Sequence, residues 1–204
     1  MKLRIALIFF LANISFCCKQ SQPGKEISDD YLIIDIQPFS GISPAKVLLV
    51  SQQLKEIYPH INIKPAINLP PAAYFPGRNR YRADSILRYL KDLTPKGHVC
   101  LGLTVKDIST TNGEVKDWGI MGLGYRPGKA CVVSSFRLDK RNIDAQFFKV
   151  CIHEVGHTQG LDHCPIPTCF MRDAEGGNPI NEEKEFCGKC RQVLVGKGWR
   201  FGKT

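Results

Sequence analysis

The chain predicts a helix-flanked α/β domain: a mixed, mostly parallel sheet with an antiparallel edge strand, followed by a small cysteine-rich part. Three observations predict it. Runs rich in branched residues alternate with amphipathic runs of helical period. Three strand-like runs then follow with no helix between them, which suits a hairpin at a sheet edge. Beyond Gly160 the chain turns Pro-, Gly- and Cys-rich, so something other than apolar packing must organise it.

Residues 31–36 (YLIIDI) read as the first strand. Ser43-Pro44 then supplies an N-cap and a proline at the first helical position, and Val47, Val50, Leu54 and Ile57 share one face before Pro59 stops the helix. Residues 61–67 form a second strand that leads into a Pro-rich turn. A second helix spans 83–93, with Ile86, Leu87, Leu90 and Leu93 on one side. Residues 98–105 (HVCLGLTV), 119–125 (GIMGLGY) and 130–136 (ACVVSSF) are strands, and polar 107–117 (DISTTNGEVKD) is a surface loop. The 119–125 strand is either an edge for an extended peptide or a plain hairpin partner. A third helix runs from Asn142 through Phe147, Val150 and Cys151 toward Gly160, with Cys151 on its core face. His60 and His98 sit at element boundaries and read as structural or exposed; Cys100 and Cys131 either pair or stay as buried thiols.

At 204 residues the chain has room for one domain. With 43% apolar and 23% charged residues it is neither a disordered nor a collagen-like chain, and no apolar stretch suits a polytopic membrane protein. The formal charge of +9 is spread along the chain with no arginine-rich run, so no nucleic-acid partner is expected.

Residues 1–18 have the form of an export signal: Lys2 and Arg4, an apolar run over 5–14, then Phe16-Cys17-Cys18. A polar tether over 19–30 follows. The segment resembles a bacterial lipoprotein signal with the lipid on Cys17 or Cys18; an ordinary cleaved signal is the alternative. The expectation is an exported protein of the bacterial cell envelope, lipid-anchored, with a single monomeric domain over 31–204.

His153-Glu154-Val155-Gly156-His157 carries the chemistry. Two histidines four apart share one helix face and can ligate one zinc, while Glu154 reaches a water on that metal as a general base. His163 is the third ligand, because Gly160 allows the helix to end in a sharp turn. Three imidazoles leave a fourth position open, as catalytic zinc requires. Cys164, Cys169, Cys187 and Cys190 follow as C-x4-C and C-x2-C, the spacing of a structural tetrathiolate zinc, with a pair of disulfides as the alternative in an oxidising compartment. Two zinc ions per chain are therefore expected, tied together through adjacent His163 and Cys164.

The stretch HEVGHTQGLDHC, then Cys169-Phe170-Met171 and Cys187-x-x-Cys190, resembles the archaemetzincin branch of the metzincin zinc peptidases. The resemblance spans 153–190. It implies a metzincin-like fold, a catalytic zinc on His153, His157 and His163 with Glu154 as base, a second zinc on the four cysteines, and Met171 in a tight turn beneath the catalytic site. The activity it implies is hydrolysis of peptide or protein substrates. Two other classes compete: a non-catalytic zinc protein that holds a peptide or partner in the same cleft, and a structural zinc module with incidental histidines.

Overall fold

A computed structural model describes residues 31–174 and 177–201. The leader and tether over 1–30 lie outside them.

The first half builds a parallel sheet. β1 (Ile33–Pro38) leads into α1 (Pro44–Ile57), whose first turn is capped where Ser43 Oγ accepts from the Lys46 N–H at 3.3 Å. β2 (Ile61–Ile63) is shorter than its sequence run, because the chain leaves the sheet at Pro65 and rejoins β1 only through a bridge between Phe39 and Ile67. β3 (Tyr74–Phe75), β4 (Arg80–Arg82), α2 (Ala83–Leu93) and β5 (His98–Thr104) follow.

The segment expected as a loop is instead a hairpin. β6 (Ile108–Asn112) and β7 (Val115–Ile120) pair antiparallel across Gly113, which turns with φ +54°. Asn112-Gly113 is a recognised hairpin signal. Its strands carry too little alternation to register as such, because beyond the paired Ile108 and Ile120, which join the α2-side core, they are polar and braced by ion pairs. Asp107 takes Arg80 and Arg137, each at 2.7 Å, and Asp117 takes Arg80 at 3.0 Å. The 119–125 run divides between β7 and β8 (Gly122–Gly124), and β9 (Ala130–Ser134) precedes α3 (Ile143–Thr158). α4 (Gly188–Gly196), not foreseen, closes the fold.

The main sheet has the order β2-β1-β5-β9-β8, parallel except for β8 at its edge; a smaller sheet runs β3-β4-β6-β7. Side chains of α1 and α3 fill one face of the main sheet, among them Val50, Leu54, Phe147, Cys151 and Val155. Ile86, Leu87 and Leu90 of α2 fill the other. Cys100 stands opposite Ala130 and Cys131 opposite Leu101. That one-residue offset sends the two thiols into cores on opposite faces, so they cannot pair. Burial pushes the Cys100 thiol up to about 12 and those of Cys131 and Cys151 well above their ordinary value, leaving them inert packing groups. His98 Nδ1 meets the buried Asp35 carboxylate at 2.8 Å, and His60 stacks on Tyr31. The C-terminal part docks through Trp199, buried against Tyr58 with ring centroids 4.5 Å apart.

Candidate active site

α3 lies under β8 and presents His153, Glu154 and His157 to a cleft. The helix ends in a Schellman motif: the Gly160 N–H reaches the His157 carbonyl and the Leu161 N–H reaches that of Gly156, with φ +90° at Gly160. This reversal returns His163 to the face that carries the first two histidines, and the three imidazoles sit with ring centroids 4.7 to 5.4 Å apart.

In each ring Nδ1 is already engaged. His153 Nδ1 donates to the Phe170 carbonyl at 2.6 Å and His157 Nδ1 to that of Leu161 at 2.8 Å. His163 Nδ1 meets the Asp173 carboxylate at 3.0 Å. His153 and His157 thereby keep Nε2 as a bare lone pair, and one ligand nitrogen from each of the three rings lies within 4.8 Å of the others. Burial, then the neighbouring His157, pushes His153 down to about 3, and burial lowers His157 as well. Both rings are neutral at physiological pH, the form that ligates metal. Ring tautomers, donor sets and convergence all fit a divalent metal of zinc's ligand preference. Asp173 was missed in the sequence, where nothing but its position two residues after Met171 marks it. Asp173→Ala is expected to weaken zinc binding about tenfold, read by competition with a chromophoric chelator.

Glu154, the residue after His153, lines the same cleft and is buried beneath the edge strand. A Cβ on Gly122 would lie 2.6 Å from its carboxylate, and one on Gly124 would lie 2.8 Å from its backbone oxygen. The GLG of β8 is therefore what lets a sheet edge cover this carboxylate. Burial pushes Glu154 up to about 8, and a dication beside it acts in the opposite sense. Met171 is fully buried, and a Cβ on Gly156 would come within 2.4 Å of its sulfur. The methionine thus lies directly beneath the histidine-bearing turn, as the resemblance implied.

The four cysteines form the second cluster. Cys164 and Cys187 sulfurs are 3.7 Å apart and those of Cys169 and Cys190 are 3.8 Å apart, too far for bonds. Four thiolates at about 2.3 Å from one zinc lie about 3.8 Å apart, so the spacing suits a tetrahedral ion and not disulfides. The Met171 and Cys187 N–H groups also donate to Cys169 Sγ, at 3.5 and 3.4 Å. The Cys164 N–H bonds the Met171 carbonyl at 2.7 Å, which ties this cluster to the floor of the first.

A cavity of about 630 Å³ runs along the cleft, bounded by Trp118, Met121 and Leu123 on the sheet side and by His153, Glu154 and His163 on the helix side. It continues to Lys149 and Glu183. Burial pushes Glu183 up to about 8, against the opposing pull of Lys149 and Arg172. A carboxyl that holds its proton more tightly when folded stabilises fully below its ordinary value near 4.5, and that contribution is lost as pH rises through 8. Wild type is therefore expected to lose stability relative to Glu183→Gln between pH 5 and 8, measured by urea unfolding across that range; parallel profiles would refute it.

The family model "Peptidase family M54" matches residues 78–195. The archaemetzincin of Archaeoglobus fulgidus is 32% identical over 165 residues, covering 79% of this chain and 98% of its own length. That of Haloquadratum walsbyi is 27% identical over 178 residues, covering 80% and 99%. Among solved structures, the Methanopyrus kandleri archaemetzincin superposes with TM-score 0.69 at 27% identity, over 81% of this chain and 94% of that one. The A. fulgidus archaemetzincin complexed with malonate gives 0.68 at 29% identity, over 79% and 99%. The match of the family model to more than half of the sequence, on a fold shared over most of its length, means that the chain belongs to peptidase family M54 and is a zinc metallopeptidase.

Proposed function

We propose that the chain hydrolyses peptide bonds at the His153–His157–His163 centre, with Glu154 as general base, and that a second, structural zinc sits on Cys164, Cys169, Cys187 and Cys190. The observation that carries this reading is the three converging imidazoles, with Nε2 of His153 and His157 left bare, and a buried carboxylate next to them. A zinc ion held there supplies Lewis acidity, lowering the pKa of water and polarising a carbonyl oxygen.

The protein's own groups do the rest. His153 and His157 keep fixed orientations through their carbonyl partners, and Asp173 does the same for His163. Glu154 takes a proton from the attacking water onto a carboxylate oxygen, holds it under the cover of β8, and returns it to the departing amine. Among the described residues β8 pairs with β9 alone, so its other edge, on the cleft side, can take an extended peptide by backbone hydrogen bonds. The spacing of the cysteine sulfurs supports the second ion, whose work is to hold the 164–171 loop that directly follows His163.

Zinc content and cleavage test this together. Protein purified without added metal is expected to hold two zincs per chain and to cut peptides in a mixed library, with activity removed by chelation and restored by zinc. His157→Ala is expected to hold one zinc and to cut nothing. A wild-type protein with one zinc or none would overturn the two-ion reading.

The proposal extends to 1–30 as a signal and tether, with export to the bacterial cell envelope and a lipid on Cys17 or Cys18, and to 31–204 as a single monomeric domain. The charged n-region, apolar run and cysteine pair support it. Mass spectrometry of the N-terminus from a membrane fraction reads the anchor directly; an unprocessed Met1 in the cytosol would refute it.

A further inference from the structure

The end of the cleft beyond the zinc-binding histidines holds a carboxyl group that the hydrolytic machinery does not use. Glu183 is 4% exposed and its side chain lines the same cavity as His153 and Glu154. Among the described residues no donor lies within hydrogen-bonding distance of its carboxylate. The two cations nearby are committed elsewhere. Lys149, one helical turn before His153 and on the same face, gives its ammonium to the Ile180 and Asn181 carbonyls at 2.9 and 3.3 Å. Arg172 pairs with Glu182 at 2.6 Å.

The wall around Glu183 is built in advance. Buried Gln146 of α3 takes the Asn178 amide on its oxygen at 3.2 Å and donates to Asn181 at 3.0 Å, which fixes the 178–181 segment against the helix. Ile180 and Val150 supply apolar surface to the same cavity. A buried carboxyl without a partner costs free energy that a native fold carries only where something compensates it. The cavity that Glu183 faces is where the compensation arrives.

We propose that this end of the cleft is a specificity subsite for a lysine or arginine side chain next to the scissile bond, and that Glu183 reads its charge. The aliphatic stem of such a side chain packs on Val150 and Ile180 while its cation supplies the missing donor. Burial favours the protonated form of Glu183 in the free protein, and a cation beside it reverses that preference. An acidic side chain would meet Glu183 itself and find Lys149 already bonded to two carbonyls. The inference rests on the peptidase reading for its site and adds the class of substrate.

The test compares two peptides that differ only at one residue flanking the cut, lysine against norleucine, on the zinc-loaded protein. kcat/KM for the lysine peptide is expected to exceed that for the norleucine peptide by about 30-fold. In Glu183→Gln the ratio falls towards one, and in Glu183→Asp, which restores the charge, most of it returns. A wild-type ratio near one at both flanking positions, a preference for glutamate, or an undiminished ratio in Glu183→Gln would each overturn the proposal. Binding of the same peptides to zinc-loaded Glu154→Gln separates this from the peptidase reading. If wild type cuts neither peptide, the subsite still requires tighter binding of the lysine peptide, lost in Glu154→Gln/Glu183→Gln; equal affinities sink it. Thermal unfolding identifies a Glu183→Gln protein that has failed to fold, in which case Glu183→Asp alone decides, through retained preference for lysine.

Discussion

Replacing Glu154 by glutamine is expected to lower kcat/KM for peptide hydrolysis by about 10²- to 10⁴-fold while zinc content stays at the wild-type value. The carboxylate stands outside the histidine cluster, so the metal-binding geometry does not depend on it. Glutamine has the same shape and fits under Gly122 and Gly124, where a larger group would collide. What it lacks is an oxygen that takes a proton, and the reaction needs that proton taken from water and delivered to an amine. The measurement is steady-state hydrolysis beside zinc analysis of the same preparation. Full activity would remove Glu154 from the mechanism, and loss of zinc together with activity would show that its role is structural.

Removing one thiolate from the second cluster is expected to have the largest effect on folding. Cys169→Ser should release the zinc of the cysteine cluster and lower stability by about 3 kcal/mol or more, because a structural zinc contributes binding free energy directly to folding. Cys169 is fully buried and its sulfur also receives the N–H groups of Met171 and Cys187. Serine offers a shorter reach and a ligand that zinc prefers less. Cys164 is bonded to Met171 and follows His163 in the chain, so disorder here should spread to the catalytic site and reduce its zinc affinity too. Zinc stoichiometry and thermal unfolding, read side by side, check this. A variant that keeps two zincs and the wild-type melting temperature would mean that the four cysteines do not form a metal site.

Much of both clusters is legible in the residues themselves. Spacing of four puts His153 and His157 on one helix face, and a glycine after the helix allows the turn that His163 needs. The helices were legible for a related reason: Ser43-Pro44 and the 83–93 stripe are local signals whose physics acts within a turn or two. The small sheet was not, since ion pairs between residues far apart in sequence, such as Arg80 with Asp107 and Asp117, hold its polar strands in place of an alternating core. α4 was hidden for a similar reason. It is short and follows Cys187, and its place depends on Leu194 and the adjacent Trp199 reaching a core built by the first half of the chain.

The sequence by itself determined which atoms could bind metal, in what order along the chain, and that a carboxylate accompanies them. Ligand identity and helical period are properties of neighbouring residues. Only the tertiary structure decided that Asp173 orients His163, that Gly122 and Gly124 bring a sheet edge over Glu154, and that Glu183 lines the same cavity without a hydrogen-bond partner among the described residues. Each of those is a contact between segments that the sequence separates. Packing density, burial and the accounting of hydrogen-bond partners exist only once the segments meet.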